Sequence, residues 1–317
     1  MTLRLVAAVG TLRACPYMTM SDKTPHHEGA ARHAHDGAMR AMTDDGAFRV
    51  VTVRTTDTVQ RMLELQGHQG ENAKRLGELI TGAVMVRETM APDYRLQALL
   101  RSTDNRYRLV ADSHPDGGSR GLLTQLDKED RKHFALEGST LEIVRTLYSG
   151  DLHRGVVEVP KGGGMSEALM SYLQSSEQVA SMLSVAGVSV KKQRVIAAGG
   201  YLVQLLPEVG RAPLAIMAER LSEFRDISEI LARTDAAPSP LLDEILYGMP
   251  FTRLSERPLS WKCRCSTVRV MSSLATLSKA DLQELIEDGK PIELSCDFCG
   301  QTYNISAPQL SGLMEQS

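Results

Sequence analysis

Trp261-Lys262-Cys263-Arg264-Cys265 and, 30 residues further on, Cys296-Asp297-Phe298-Cys299-Gly300 are the stretches that decide how the end of this chain folds. Each pair can place two thiolates on one ion, and two such pairs complete a tetrahedral shell. Soft thiolates in that geometry select zinc or an iron–sulfur cluster. The second pair reads as a zinc knuckle, in which Ile292 to Leu294 and Gln301 to Ile305 form a hairpin and Gly300 supplies the tight turn beside the metal. Between the pairs the pattern predicts one helix. Ser278 and Asp281 form a capping box at its start, Leu282, Leu285 and Ile286 give its apolar face, and Gly289 and Pro291 end it. A unit of about 50 residues has a core too small to be more than marginal alone. Zinc contributes roughly 10–16 kcal/mol in comparable small sites, so metal binding and folding are expected to be one event. The expected ligands are Cys263, Cys265, Cys296 and Cys299, holding one Zn2+ per chain in the reduced state.

Outward from this module, the rest of the chain narrows the possibilities. Of five cysteines in 317 residues, four lie in the last fifth, which is no pattern for a secreted disulfide scaffold. The fifth, Cys15, has no part in the site and reads as a free thiol. No run approaches the ~20 apolar residues that span a bilayer. Leu3 to Leu12 is too weakly apolar for a signal segment, and Arg13 stands where a cleavage site wants small neutral residues. A cytoplasmic protein is expected. A net charge of −3 offers no general attraction to nucleic acid or anionic membrane, so neither is expected as a partner.

The chain divides into four parts on pattern. Residues 1–46 read as a disordered extension, with no sustained period and a loose group of His26, His27, His33 and His35 that reads as binding nothing specific. Residues 47–234 read as an α+β domain. Strands are expected at Phe48–Arg54, Tyr94–Arg101, Tyr107–Ser113, Ser139–Leu147, Gly155–Val159, Val190–Ala197 and Tyr201–Leu206. Helices are expected over Thr56–Met90, interrupted near Gly67 and Gly70, and over Met165–Ser176 and Ala212–Ala232. Strands and helices mix without a regular βαβ rhythm, so the fold class is α+β, with a mixed α/β N-terminal domain, a helical linker and a small C-terminal zinc-binding domain. Lys161-Gly162-Gly163-Gly164 fits no phosphate loop and reads as a turn into a helix capped by Ser166; Ala197-Ala198-Gly199-Gly200 reads as a turn before a buried strand. Residues 235–260 read as a metastable linker. Leu241, Leu242, Ile245, Leu246, Met249, Phe251 and Leu254 make it too apolar to be solvated and too irregular for a core of its own, so it must pack on something. Residues 261–317 are the zinc-binding domain.

Chemistry alone leaves two readings of the cysteine site open. One is a static zinc module that recruits a protein or nucleic-acid partner. Lys262, Arg264 and Arg269 give it local positive charge, but no wider basic stripe or set of stacking aromatics accompanies them. The other is a redox switch, because oxidation removes the thiolates that hold the ion. An enzyme is not expected: His68, His114, His133 and His153 stand in no recognisable nucleophile or base motif, and the Cys-x-x-Cys lies far from any βαβ start.

From about Phe48 to the C-terminus, the sequence resembles the 33 kDa chaperonin family, redox-regulated heat-shock holdases of bacteria. The likeness rests on the cysteine pattern with Cys296-Asp297-Phe298-Cys299-Gly300, on Tyr172-Leu173-Gln174-Ser175-Ser176-Glu177-Gln178, and on Ala197-Ala198-Gly199-Gly200-Tyr201-Leu202-Val203-Gln204-Leu205-Leu206-Pro207, in this order and separation. The resemblance implies a mechanism. In the reduced protein the zinc-bound module folds over the linker. Oxidants convert the cysteines to two redox-active disulfides, Cys263–Cys265 and Cys296–Cys299. The ion leaves, the module and linker unfold, and exposed apolar surface binds unfolded or misfolded client proteins without ATP. A homodimer in the active state is also implied.

Overall fold

The computed structural model describes residues 35–126, 133–186, 190–191, 194–206, 212–224, 227–233 and 237–314. Cys15, His26, His27 and His33 lie outside the described residues. The described residues fall into two compact units, 35–262 and 263–314.

The larger unit opens with strands β1 (Gly37–Thr43) and β2 (Phe48–Arg54), helices α1 (Thr56–Gln66) and α2 (Gly70–Glu88), and strands β3 (Arg95–Arg101), β4 (Tyr107–Ser113), β5 (Gly118–Gln125), β6 (Thr140–Thr146) and β7 (Leu152–Glu158). Helix α3 (Met165–Ser176) follows, then β8 (Ser181–Ala186), the short pieces β9 (Val190–Lys191) and β10 (Arg194–Val195), and β11 (Gly199–Leu205). Helices α4 (Ala212–Ser222), α5 (Ile227–Arg233) and α6 (Pro238–Ile245), and strands β12 (Phe251–Pro258) and β13 (Ser260–Trp261), complete it. One sheet has the order β12-β1-β2-β11-β8, the other β13-β5-β4-β3-β6-β7. Every pairing in them is antiparallel except β13 on β5.

Period-two alternation on β2 explains the layering. Val51 and Val53 point into one core, Phe48 and Val50 into another, so the five-stranded sheet is apolar on both faces. The inner core lies between the two sheets, where α2 is buried on nearly every side: Leu76, Leu79, Ile80, Val84, Met85 and Val86 are all shielded. A helix apolar all round belongs in such a place. The outer core is Met39, Ala41, Phe48, Val50, Tyr201 and Val203 of the sheet under Met217, Leu221, Ile227, Ile230 and Leu231 of α4 and α5 and Leu241, Leu242, Ile245 and Leu246 at α6.

Several expectations change. The N-terminal extension does not reach residue 46, because Gly37–Thr43 is a strand paired to both β2 and β12. Just before it, the buried Asp36 accepts hydrogen bonds from the amides of Asp57 (3.1 Å) and Thr58 (2.6 Å) and pairs with Arg54 (2.7 Å), closing the open N-terminal end of α1. Strands β5 and β8 were not foreseen. Glycine-rich Gly118-Ser119-Arg120-Gly121 hides the first, and the alternation of Ser181, Leu183 and Val185 is too short to stand out. Gly199 and Gly200 begin a strand rather than make a turn: a Cβ on either would sit 2.5 Å from a carbonyl oxygen, of Val53 or of Ser184. Helix α3 is capped at Gly164, with Glu167 accepting from its amide, while Ser166 accepts from Val185 of β8. The helix expected over Ala212–Ala232 is two, α4 and α5. The linker is only partly helical. Its first half is α6; its second is β12, an edge strand whose bulge at Leu254 breaks the register between Arg40 and Ala41.

Burial also places one carboxyl at a cost. Glu78 on α2 is raised to about 7, chiefly by desolvation, against the weaker pull of Lys74 at 3.9 Å. Its folded pKa lies above the unfolded value, so stability is highest below the ordinary glutamate range and falls as pH rises through about 7. Glu78→Gln is therefore expected to stabilise the protein at pH 8, by on the order of 2–3 kcal/mol, and to change little at pH 4. Urea unfolding at the two pH values checks this; an equal effect at both rejects the desolvated carboxylate.

Candidate metal centre

The second unit holds helices α7 (Thr267–Leu274) and α8 (Lys279–Glu287), the hairpin β14 (Ile292–Ser295) and β15 (Thr302–Ile305), and helix α9 (Ala307–Met314). The hairpin and α8 match expectation, including the Ser278 cap, whose hydroxyl accepts from the Asp281 amide at 3.1 Å. The single helix expected between the cysteine pairs is two. Helix α7 starts directly after Cys265, with Ser266 accepting from the Arg269 amide, and its run Thr267-Val268-Arg269-Val270 reads as strand by propensity. The buried core of this unit is Leu274, Leu282, Ile305 and Leu310. Four side chains are few for a fold of this length.

All four predicted ligands come together. The sulfurs of Cys263, Cys265, Cys296 and Cys299 lie within 4.8 Å of one another, and none is in a disulfide. Cys263 Sγ is 3.7 Å from Cys296 Sγ, and Cys265 Sγ is 3.5 Å from Cys299 Sγ. A tetrahedral ion with metal–sulfur bonds of ~2.3 Å spaces its ligands about 3.8 Å apart, so the donors suit zinc in number, softness and spacing.

Each half of the site is shaped by its backbone. In the knuckle the amides of Cys299 and Gly300 donate to the Cys296 carbonyl at 3.2 and 2.7 Å, and the Cys296 amide donates to the Gln301 carbonyl at 2.9 Å. Gly300 adopts φ +73°, which only glycine takes freely, and so turns the chain out of the knuckle. Amides also point at sulfur: those of Phe298 and Cys299 at Cys296, that of Gln301 at Cys299, and that of Cys265 at Cys263. Such N–H···S bonds orient a thiolate and spread its charge.

The four sulfurs are not equivalent. At Cys263 burial raises proton affinity, but hydrogen bonds from the Cys265 amide and from neighbouring thiols outweigh it and bring the pKa down to about 7. Burial dominates at Cys296 and Cys299 and pushes both up. Tyr303 on β15 was missed by sequence reasoning, and only its place in the hairpin could have signalled it. Its phenol is raised to about 12, first through its hydrogen bond with Cys265, so it remains a donor beside the cluster. Two of the histidines set aside earlier have structural partners: His68 with the Leu123 carbonyl, His153 with Arg145.

The family model described as "Hsp33 protein" matches residues 36–306. A 33 kDa chaperonin of Syntrophotalea carbinolica is 29% identical, over 88% of this chain and 99% of that protein. Another from Bacillus subtilis is 27% identical, over 89% and 99%. The crystal structure of the 33 kDa chaperonin of Thermotoga maritima shares the fold, with a TM-score of 0.74 at 23% identity, covering 89% of this chain and 98% of that one.

Cys296→Ser is expected to weaken zinc retention without any oxidant and to collapse the amide dispersion of residues 263–314 in NMR spectra, because only three thiolates then remain to hold the ion that joins the two halves of the site. Tight zinc binding by that variant argues against four-sulfur ligation.

Proposed function

This chain belongs to the Hsp33 family of chaperones, and we propose that it acts as a redox-regulated, ATP-independent holdase for unfolding proteins in the cytoplasm, where thiols rest in the reduced state. The observation that carries this reading is the convergence of four free thiols in a unit whose own buried core is four side chains. Zinc, when bound, supplies the folding free energy that such a core lacks, roughly 10–16 kcal/mol.

The sulfurs do the switching. A peroxide takes two electrons from Cys263 and Cys265, and a second takes two from Cys296 and Cys299. In each event an S–S bond forms, the O–O bond breaks, and two protons taken from solvent complete the two waters. Four thiolates become two disulfides, and no ligand set remains. The unit of residues 263–314 then loses its main source of stability, and the loosening passes to the segment that precedes it in the chain.

The surface to be uncovered is the outer core. Leu241, Leu242, Ile245 and Leu246 are fully buried against the five-stranded sheet, and β12 pairs along the whole of β1. Beside that ladder Arg257 of β12 and Arg40 of β1 flank the buried Glu88, at 3.8 and 3.9 Å. Four buried aliphatic side chains contribute on the order of 6–12 kcal/mol of gross attraction. Loss of the metal unit alone leaves that attraction in place, so oxidation loosens the cover and warming removes it. The exposed patch, larger than soluble monomers ordinarily show, binds clients and pairs two copies as a homodimer.

The test follows zinc release with a chromogenic chelator and client aggregation by light scattering. Reduced protein is expected to hold one zinc and leave aggregation unchecked, whereas peroxide-treated, warmed protein releases the ion and suppresses aggregation. Equal activity in both states rejects redox control and leaves a static zinc module. Leu242→Ala should destabilise the cover by ~2–5 kcal/mol and lower the temperature at which the oxidised protein becomes active. An unchanged activation temperature removes α6 from the cover.

A further inference from the structure

A cavity of about 190 Å³ lies in the larger unit, remote in sequence from the cysteines, where β2, β6, β11 and the C-terminal ends of α2 and α3 meet. Two of the sequence blocks quoted above end there: Leu173 and Glu177 come from the first, Gln204 from the second. Neither the metal centre nor the apolar cover makes use of it.

Its polar groups are unevenly satisfied. Gln204 is only 5% exposed, lines the cavity, and has no hydrogen-bond partner for its side-chain amide among the described residues. The amide opens to the cavity, so its bonding positions are available to whatever occupies that space. Arg49 stands directly across the ladder from Gln204 on the same face. Its guanidinium donates to the Thr89 carbonyl at 3.3 Å and has no carboxylate partner among the described residues. Arg145 is held from two sides, donating to Glu177 at 2.8 Å and meeting His153 Nδ1 at 2.8 Å, while its Nε is buried without a partner. Glu177 is fully engaged, since Tyr172 donates to its other oxygen at 2.5 Å. The site therefore carries two cations, one anion and a spare amide. The α2 carbonyls that would repel an anion are already occupied, with the Thr89 hydroxyl on Val86 and Arg49 on Thr89. Met90 and Leu173 make the remaining wall apolar.

We infer that this cavity binds a small carboxylate with a short apolar tail. One negative charge balances the excess guanidinium, a planar carboxylate suits the fork of Arg49 and the amide of Gln204, and the tail lies on Met90 and Leu173. An apolar cavity of ~150 Å³ accommodates benzene, so a ligand of some seven to ten heavy atoms fits here. Phosphate matches less well, with its second charge and no apolar part. The carboxylate can come from a free organic acid or from the end of a polypeptide, and the two share this chemistry.

Calorimetric titration of the full-length, zinc-loaded protein at low salt tests the site. Isovalerate is expected to bind with a Kd on the order of millimolar, and isovaleramide, its uncharged counterpart, at least tenfold more weakly. Arg49→Met and Gln204→Leu should each weaken isovalerate at least tenfold with zinc content unchanged. Gln204→Leu should also leave the melting temperature the same or higher, because the amide it removes has no partner to lose. N-acetyl-alanine, which stays within that size, separates the sources: binding tighter than isovalerate assigns the site to chain ends, and weaker binding assigns it to free acids. Equal affinity for acid and amide, no binding of either acid, or unchanged binding by both variants overturns the assignment. Each of these results is independent of the redox behaviour of the cysteines.

Discussion

A sheet with two apolar faces cannot stand with one of them wet, and that constraint organises most of this molecule. On β2 alone, Val51 and Val53 need cover on one side, Phe48 and Val50 on the other. The inner side is closed by α2 and the six-stranded sheet, whose elements, the short edge strand β13 apart, all precede α3 in the chain. The outer side is closed by α4, α5 and α6, which come after four of the sheet's five strands. Cover of the second kind can leave without undoing the first. Cooperative units of unequal stability are the ordinary form of protein dynamics, and here the layering decides which unit is the weaker.

The small C-terminal unit meets the same demand with different chemistry. Leu274, Leu282, Ile305 and Leu310 are few to hold three helices of eight or nine residues and a hairpin of two four-residue strands together by burial alone. Four thiols placed to hold a metal ion offer a substitute for a core, and the backbone serves them: Gly300 turns the knuckle and amides point at three of the four sulfurs. A fold stabilised in this way is as sensitive to oxidants as its ligands are. Apolar packing elsewhere in the chain has no such sensitivity.

Much of this was legible in the sequence, for definable reasons. Phe48–Arg54 is rich in β-branched residues, and the structure gives the strand the same bounds. The cysteine spacing is a statement about geometry and pointed to four thiols that the structure brings together, because ligand chemistry tolerates few alternatives. What escaped was set by tertiary context. Gly37–Thr43 looks like more of the polar extension until Val53 and Arg257 are placed on either side of Ala38. The apolar run at Leu241–Leu246 shows that it must be buried but not against what, since its partners Tyr201 and Val203 lie some forty residues earlier. Arg49 and Gln204 meet only because two strands pair in one register, and no local pattern announces it.

The bulge at Leu254 has a kinetic consequence. A regular strand that peels away can zip back in steps from either end, but one carrying an extra residue fits its neighbour in a single alignment, and a slip by one turns every side chain to the wrong face. On the function proposed here, closing is then a search while opening is a release. The cycle is hysteretic: the protein stays open for a time after thiols are restored, so that a held client is handed on rather than dropped at the moment the stress ends.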